Sequence, residues 1–314
     1  MGRKSNIFTI MGSTGVGKTD LAIAIFDELS IDIISVDSVQ IYKYLNIGSG
    51  KLSTELLRKY PHKLVDKLEL EENYSAGLFR KDAIKEIENS IDSGNTPLLV
   101  GGTMMYFRSL FKGLANMPSA NNSIRNSLTK EAEKKGWPFL HKRLETLDPK
   151  SAEKIHPNDS QRIQRALEVY ELSTEPMSSL QKNKKNNHNH LSDQYNFVQF
   201  AIKPQSRDAH RKEIQYRFDQ MLNQGLIIEV ENLLSQKDIN SSFKSLRSVG
   251  YKEVCQYLEG FLSYDEMVFR AVTSTRQLAK RQMTWLKSWE NVIWVSQDID
   301  KSVALVKEEI LKAR

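Results

Sequence analysis

The 314-residue chain has a single cysteine, Cys255. No disulfide can close within it and no cysteine-based metal cluster can form, which suits a reducing cytoplasm. Long apolar runs are missing too. The opening MGRKSNIFTIMG holds too short an apolar stretch for a signal peptide. No run approaches the length of a membrane span, so a cytoplasmic protein without membrane contact is expected. Neither sign of charge dominates: 45 Lys and Arg against 39 Asp and Glu leave a formal +6. That modest basic excess is compatible with a nucleic-acid partner but is shared by many plain enzymes.

Against these absences stands GSTGVGKT, Gly12, Ser13, Thr14, Gly15, Val16, Gly17, Lys18 and Thr19. It fits G-x-x-x-x-G-K-[ST], with a strand-like run Ile7–Met11 before it and a helical run Leu21–Leu29 after it. Backbone amides turned inward by the glycines, the helix N-terminus and the Lys18 ammonium suit a di- or triphosphate. The Thr19 hydroxyl suits a magnesium ion. The loop alone does not say which phosphate compound binds.

Apolar, β-branched runs at Ile7–Met11, Ile31–Val36, Leu98–Val100, Phe197–Ile202 and Val292–Val295 alternate with helical patterns. This predicts an α/β fold, a parallel sheet with flanking helices. Residues 119–193 have no convincing strand and read as an all-helical insertion, with helices predicted at Ser123–Lys135, Pro138–Thr146 and Ser160–Leu172. The core is then 1–118 with 194–314. The polar tract Lys182–Leu191 carries His188 and His190, which read as part of a solvated loop rather than a metal site because no third ligand is in view.

Several segments carry candidate chemistry. Asp37 ends the second strand, on the rim where an open parallel sheet binds ligands. There it could hold magnesium, take a proton, or simply cap the next turn. Gly101 and Gly102 end the third strand, and Thr103 either points into the crevice or caps the following helix. His62 could be a base but reads more readily as a packing residue, and Ser75 as a helix start. In HPNDSQRIQRALEV, Asn158 or Asp159 caps a helix. Gln161, Arg162 and Arg165 share one flank, opposite Ile163, Leu167 and Tyr170. RSVGYKE, Arg247 to Glu253, joins two cations to a ring at Tyr251 that could stack. On a helix through TRQLAKRQMTWLKSW, Arg276, Lys280 and Lys287 form a basic side and Leu278, Trp285 and Trp289 an apolar one. Arg217 lies at the edge of the stripe Ile214, Phe218, Met221, placed to reach an anion or to make a surface ion pair.

Taken together, GSTGVGKT, SVDSVQIYKYLNIGSGK, PHKLVD, YSAGLF, VGGTMMYFRSL, HPNDSQRIQRALEV, RSVGYKE and TRQLAKRQMTW resemble the tRNA dimethylallyltransferase family, also called tRNA isopentenyltransferases. They occur in the family's order over nearly the whole chain. The resemblance implies a phosphate-loop fold with a helical tRNA-gripping insertion. It implies transfer of a dimethylallyl group from its diphosphate to N6 of the adenosine 3′ of the anticodon, in tRNAs reading codons that begin with U. Diphosphate is released, Mg2+ assists, and a monomer is expected. By the same resemblance Gly12 to Thr19 hold the diphosphate, with Thr19 on the metal, and Asp37 is the general base. Thr103 contacts substrate and Arg217 the diphosphate. The tRNA contacts fall on Asp37, Ser38, Val39 and Gln40, on Thr103 and Arg125, and on Gln161, Arg162, Ile163, Gln164 and Arg165. They continue at Arg247, Ser248, Val249, Gly250, Tyr251 and Lys252, and at Lys280 and Arg281.

The chain departs from the family's usual Pro and Ala at Ser13 and Gly15, from a frequent Arg at Val39 and His at Lys63, and from a frequent Arg at Glu213. None of these removes a catalytic group. The main alternative is a phosphate-loop kinase acting on a small metabolite or nucleoside. It requires a second magnesium-binding aspartate, for which only Asp37 offers itself, and leaves the basic helical region without a task. A non-catalytic RNA-binding ATPase is a further alternative.

Overall fold

The computed structural model describes residues 4–182 and 191–313. His188 and His190 lie outside the described residues. The chain divides into two compact units, one of residues 1–111 with 191–314 and one of residues 112–190.

The larger unit is built on one sheet of six parallel strands: β1 Ser5–Met11, β2 Ile31–Val36, β3 His62–Lys63, β4 Thr96–Gly101, β5 Tyr195–Ile202 and β6 Val292–Val295. Their spatial order is β3-β2-β4-β1-β5-β6. The long crossovers that parallel pairing demands are mostly helical. α1 (Lys18–Phe26) follows β1, α2 (Thr54–Lys59) precedes β3, α3 (Ala76–Asp92) precedes β4, and α4 (Met104–Lys112) follows it. The strands read as unbroken apolar runs because both faces are covered. Ile34, Val36 and Leu99 point into one core with Phe79 and Phe107. Phe8, Ile10, Ile33 and Leu98 point into the other with Leu21 and Ile25. The α/β expectation therefore holds, with one added strand: β3 is only two residues long and shows no apolar pattern of its own.

The smaller unit contains α5 (Asn122–Lys135), α6 (Trp137–Leu147), α7 (Pro149–Ala152), α8 (Ser160–Ser173) and α9 (Met177–Lys182). Leu128, Leu140, Leu144, Ile163 and Leu167 form its core. Asp159 caps α8 by accepting from the Arg162 amide. α10 (Leu191–Gln194) then leads into β5. After it come α11 (Arg207–Asn223), α12 (Leu226–Leu234), α13 (Tyr251–Leu258), α14 (Tyr264–Lys287) and, beyond β6, α15 (Ile299–Ala313). Among the described residues no helix is long and apolar enough to cross a membrane.

Sheet register positions the site. Met11 of β1 and Val36 of β2 both pair with Gly101 of β4. The three strands thus end level, and one residue further on stand Gly12, Asp37 and Gly102. Ligands of open parallel sheets bind in this crevice beyond the strand ends.

Candidate active site

The phosphate loop closes the gap between β1 and α1. Gly17 precedes the helix at φ 86°, left-handed backbone that a side chain would strain. Lys18 folds its Nζ back to donate to the Ser13 carbonyl at 2.8 Å. Loss of hydration pulls its ammonium down to about 8, with Asp37 acting to raise it and Arg217 to lower it.

Asp37 is the turn cap that one of its readings expects. Its Oδ1 accepts from the Val39 amide at 2.8 Å and the Gln40 amide at 3.2 Å, so it caps the turn after β2. Both bonds fall on one oxygen, and the residue also lines a cleft of about 360 Å³. The Thr103 hydroxyl does not cap α4. It accepts from the Ser38 amide at 3.2 Å and ties the end of β4 to the Asp37 turn. Arg217 of α11 borders the cleft and lies against Gly50. Thr14, Gly15, Asp37, Ser38, Val39, Thr103 and Arg217 therefore share one cleft. Val249, Gly250 and Arg281 line it too, with an apolar wall of Ile214, Phe218, Leu278 and Trp285.

Two site residues carry no signal in the pattern-based reading. Gln282 of α14 accepts from the Thr14 amide at 2.9 Å and donates to the Gly102 carbonyl at 2.8 Å. A Cβ at Gly102 would stand 2.7 Å from its Nε2, so this closeness needs the glycine. His210 of α11 donates through Nε2 to the Thr14 carbonyl at 2.8 Å. Gln282 lies inside the TRQLAKRQMTW segment, but only the tertiary fold brings it to the loop.

Several other expected residues are engaged within the fold. Tyr251 cannot stack on a base: it is wholly buried, its ring packs against Gly48, and its hydroxyl donates to Glu229 at 2.7 Å. Ile163 is likewise fully buried in the helical unit. Gln164 donates to the Thr129 hydroxyl at 2.9 Å and the Arg125 carbonyl at 3.1 Å, joining α8 to α5. Arg125 and Arg165 converge on Glu168, whose side chain has no exposed surface. Burial pushes that carboxyl up, but bonds from Arg125, Arg165 and the Asn121 amide outweigh it and hold it below its ordinary value. The pair and Glu168 together keep one net positive charge, with both guanidinium side chains half-buried. Gln161 and Arg162 remain exposed on α8. Arg247, Lys252, Lys280 and Arg281 are exposed, and Ser248 is half-buried. Arg276 is half-buried, with its Nε shielded from solvent. His62 packs at the sheet edge with Nδ1 2.7 Å from the Tyr60 carbonyl, and burial holds its ring below the ordinary value. Ser75 caps α3.

Among the described residues no three His, Cys, Asp or Glu gather as a metal cage. Thr19 and Asp37 are hard oxygen donors of the kind magnesium takes when most of its shell is water and ligand phosphate, so the donor set fits that ion.

A family model described as IPP transferase matches residues 40–289. The chain is 45% identical over 314 residues to tRNA dimethylallyltransferase 2 of Hahella chejuensis, covering 96% of this chain and 95% of that protein. Two solved structures are each 31% identical. The full-length tRNA isopentenylpyrophosphate transferase of Bacillus halodurans has a TM-score of 0.70, over 99% of this chain and 97% of that one. The tRNA delta(2)-isopentenylpyrophosphate transferase of Staphylococcus epidermidis has a TM-score of 0.69, over 99% and 100%.

Proposed function

The chain belongs to the IPP transferase family, and from that premise we propose that its cleft transfers a dimethylallyl group from dimethylallyl diphosphate to N6 of a tRNA adenosine. The adenosine is the one 3′ of the anticodon in tRNAs that read U-starting codons. The observation that carries this reading is the cleft shared by Asp37, Arg217 and the phosphate-loop residues Thr14 and Gly15. One wall can grip a diphosphate while a carboxylate faces it.

The adenine amine is a poor nucleophile because its lone pair is delocalised into the ring. Asp37, fixed through Oδ1 by two backbone amides, orients that amine and takes its proton as the N6–C1 bond forms. The C1–O bond breaks and its electron pair leaves with diphosphate. Lys18, Arg217 and the loop amides stabilise the leaving charge. Thr19, a hard oxygen donor in the phosphate loop, would hold Mg2+, which when bound would add positive charge at the diphosphate. The apolar wall of Ile214, Phe218 and Leu278 receives the prenyl group and keeps water from it. Thr103 positions the turn that bears Asp37 and Ser38.

The target base leaves the anticodon-loop stack, which costs a few kcal/mol at most for an unpaired base. Exposed cations at Arg247, Lys252, Lys280 and Arg281 hold RNA backbone, and Arg162 of the helical unit offers a further phosphate contact. The protein is proposed to work as a cytoplasmic monomer. The test is incubation with labelled dimethylallyl diphosphate and unmodified tRNA. Label in the RNA at that adenosine is expected; label absent, with ATP rather than dimethylallyl diphosphate raising the melting temperature, supports a kinase instead.

A further inference from the structure

Thr14, at the tip of the phosphate loop, is held from two sides by two helices. His210 of α11 holds its carbonyl and Gln282 of α14 its amide, at 2.8 Å and 2.9 Å. The two pins differ in what else their helices do. α11 also carries Arg217, on the diphosphate side. α14 carries the exposed Lys280 and Arg281 beside Gln282, and Trp285 one turn on, with the Arg108 guanidinium 5.7 Å from the Trp285 ring. Gln282 also holds the Gly102 carbonyl at 2.8 Å, next to Thr103. One side-chain amide therefore joins the cationic helix, the diphosphate loop and the turn that supports Asp37.

We propose that Gln282 is the positioning residue through which RNA seated along α14 tightens the loop's grip on diphosphate. The inference rests on the functional reading above. The physical basis is linkage. The loop is rich in glycine and has much conformational freedom to lose. A ligand that fixes α14 fixes Gln282, and with it the Thr14 amide and the Gly102 turn. Diphosphate then binds a loop that is already ordered, and the coupling is reciprocal. His210 orders the same Thr14 from a helix outside the proposed RNA contact, so it strengthens the loop without conveying RNA occupancy.

The experiment measures binding of inorganic diphosphate with magnesium to the full chain, with and without saturating unmodified tRNA. Wild-type protein is expected to bind diphosphate about tenfold more tightly when tRNA is present. Gln282→Met is expected to cut that ratio below about twofold, with tRNA affinity unchanged. His210→Ala is expected to weaken diphosphate binding equally in both conditions and keep the ratio. Should Gln282→Met fail to fold, Gln282→Asn serves, since it is polar but one methylene too short to span Thr14 and Gly102. The same loss of ratio is expected.

A ratio that survives at position 282, or that vanishes equally in His210→Ala, overturns the proposal. So does wild-type protein that prenylates tRNA yet shows no ratio, which leaves the functional reading standing. Wild-type protein that binds no tRNA overturns both.

Discussion

The Thr103 hydroxyl oxygen accepts a hydrogen bond from the Ser38 amide at 3.2 Å, across the level ends of β4 and β2. The general-base candidate is Ser38's neighbour, so this bond sets where the Asp37 carboxylate stands. Thr103→Val keeps the shape and removes the acceptor. It should cost about 1 kcal/mol of stability and lower the single-turnover prenylation rate, while Thr103→Ser restores both. A Val variant with normal turnover would detach Thr103 from catalysis.

Asp37 caps its turn and is the proposed base, and two substitutions separate the roles. Asn retains an Oδ1 acceptor for the Val39 and Gln40 amides but is no base. Asp37→Asn should therefore lower the rate at least about 100-fold with tRNA affinity and melting temperature nearly unchanged. Asp37→Ala should lose a similar rate and also about 1 kcal/mol from the lost cap. Single-turnover kinetics and thermal melts read the two effects apart.

Lys18 titrates in the folded chain at about 8 against an ordinary 10.5. Between those values the unfolded chain holds the extra proton, so stability of the ligand-free protein rises with pH across that window. Below the window the cost of the dehydrated charge is fully present. Diphosphate affinity runs the other way and falls as pH climbs past about 8, because the neutral amine no longer attracts the anion. Lys18→Met should melt higher than wild type without ligand and lose most diphosphate affinity. Calorimetry across pH tests both signs.

In the helical unit, Arg125 and Arg165 serve the buried Glu168 whereas Arg162 is 72% exposed. Arg125→Met leaves the buried Glu168 with Arg165 and the Asn121 amide as partners and should cost about 1–3 kcal/mol. Arg162→Ala should leave melting unchanged but weaken tRNA binding and flatten its salt dependence. Glu168 is held below its ordinary value, near 4.5. Its stabilisation is thus present above that value and is lost as pH falls through the lower folded one. An acid titration of unfolding in wild type and Glu168→Gln checks this.

Much of the fold was legible in residue order. β2 and β6 occupy the runs read for them, β1 and β5 start two residues earlier than their runs, and β4 starts two residues earlier and ends one later. β3 escaped notice because His62 and Lys63 form a strand only by pairing with Ile33 and Ile34. The phosphate loop was legible for a local reason: its glycine backbone and its Lys18 and Thr19 side chains lie within eight consecutive residues. Asp37 was placed on the correct rim because a strand end is a local feature.

The sequence by itself determined that a phosphate loop opens a parallel α/β core and that a helical segment interrupts it. Strand, turn and helix signals act over a few residues and survive in one dimension. Only the tertiary structure decided which polar side chains face ligand and which are consumed inside. Tyr251 turned inward to Glu229, Arg125 and Arg165 turned to Glu168, and Gln282 reached across 268 residues to Thr14. Those outcomes depend on burial and on partners far away in the chain, where the cost of an unpaired buried polar group settles each orientation.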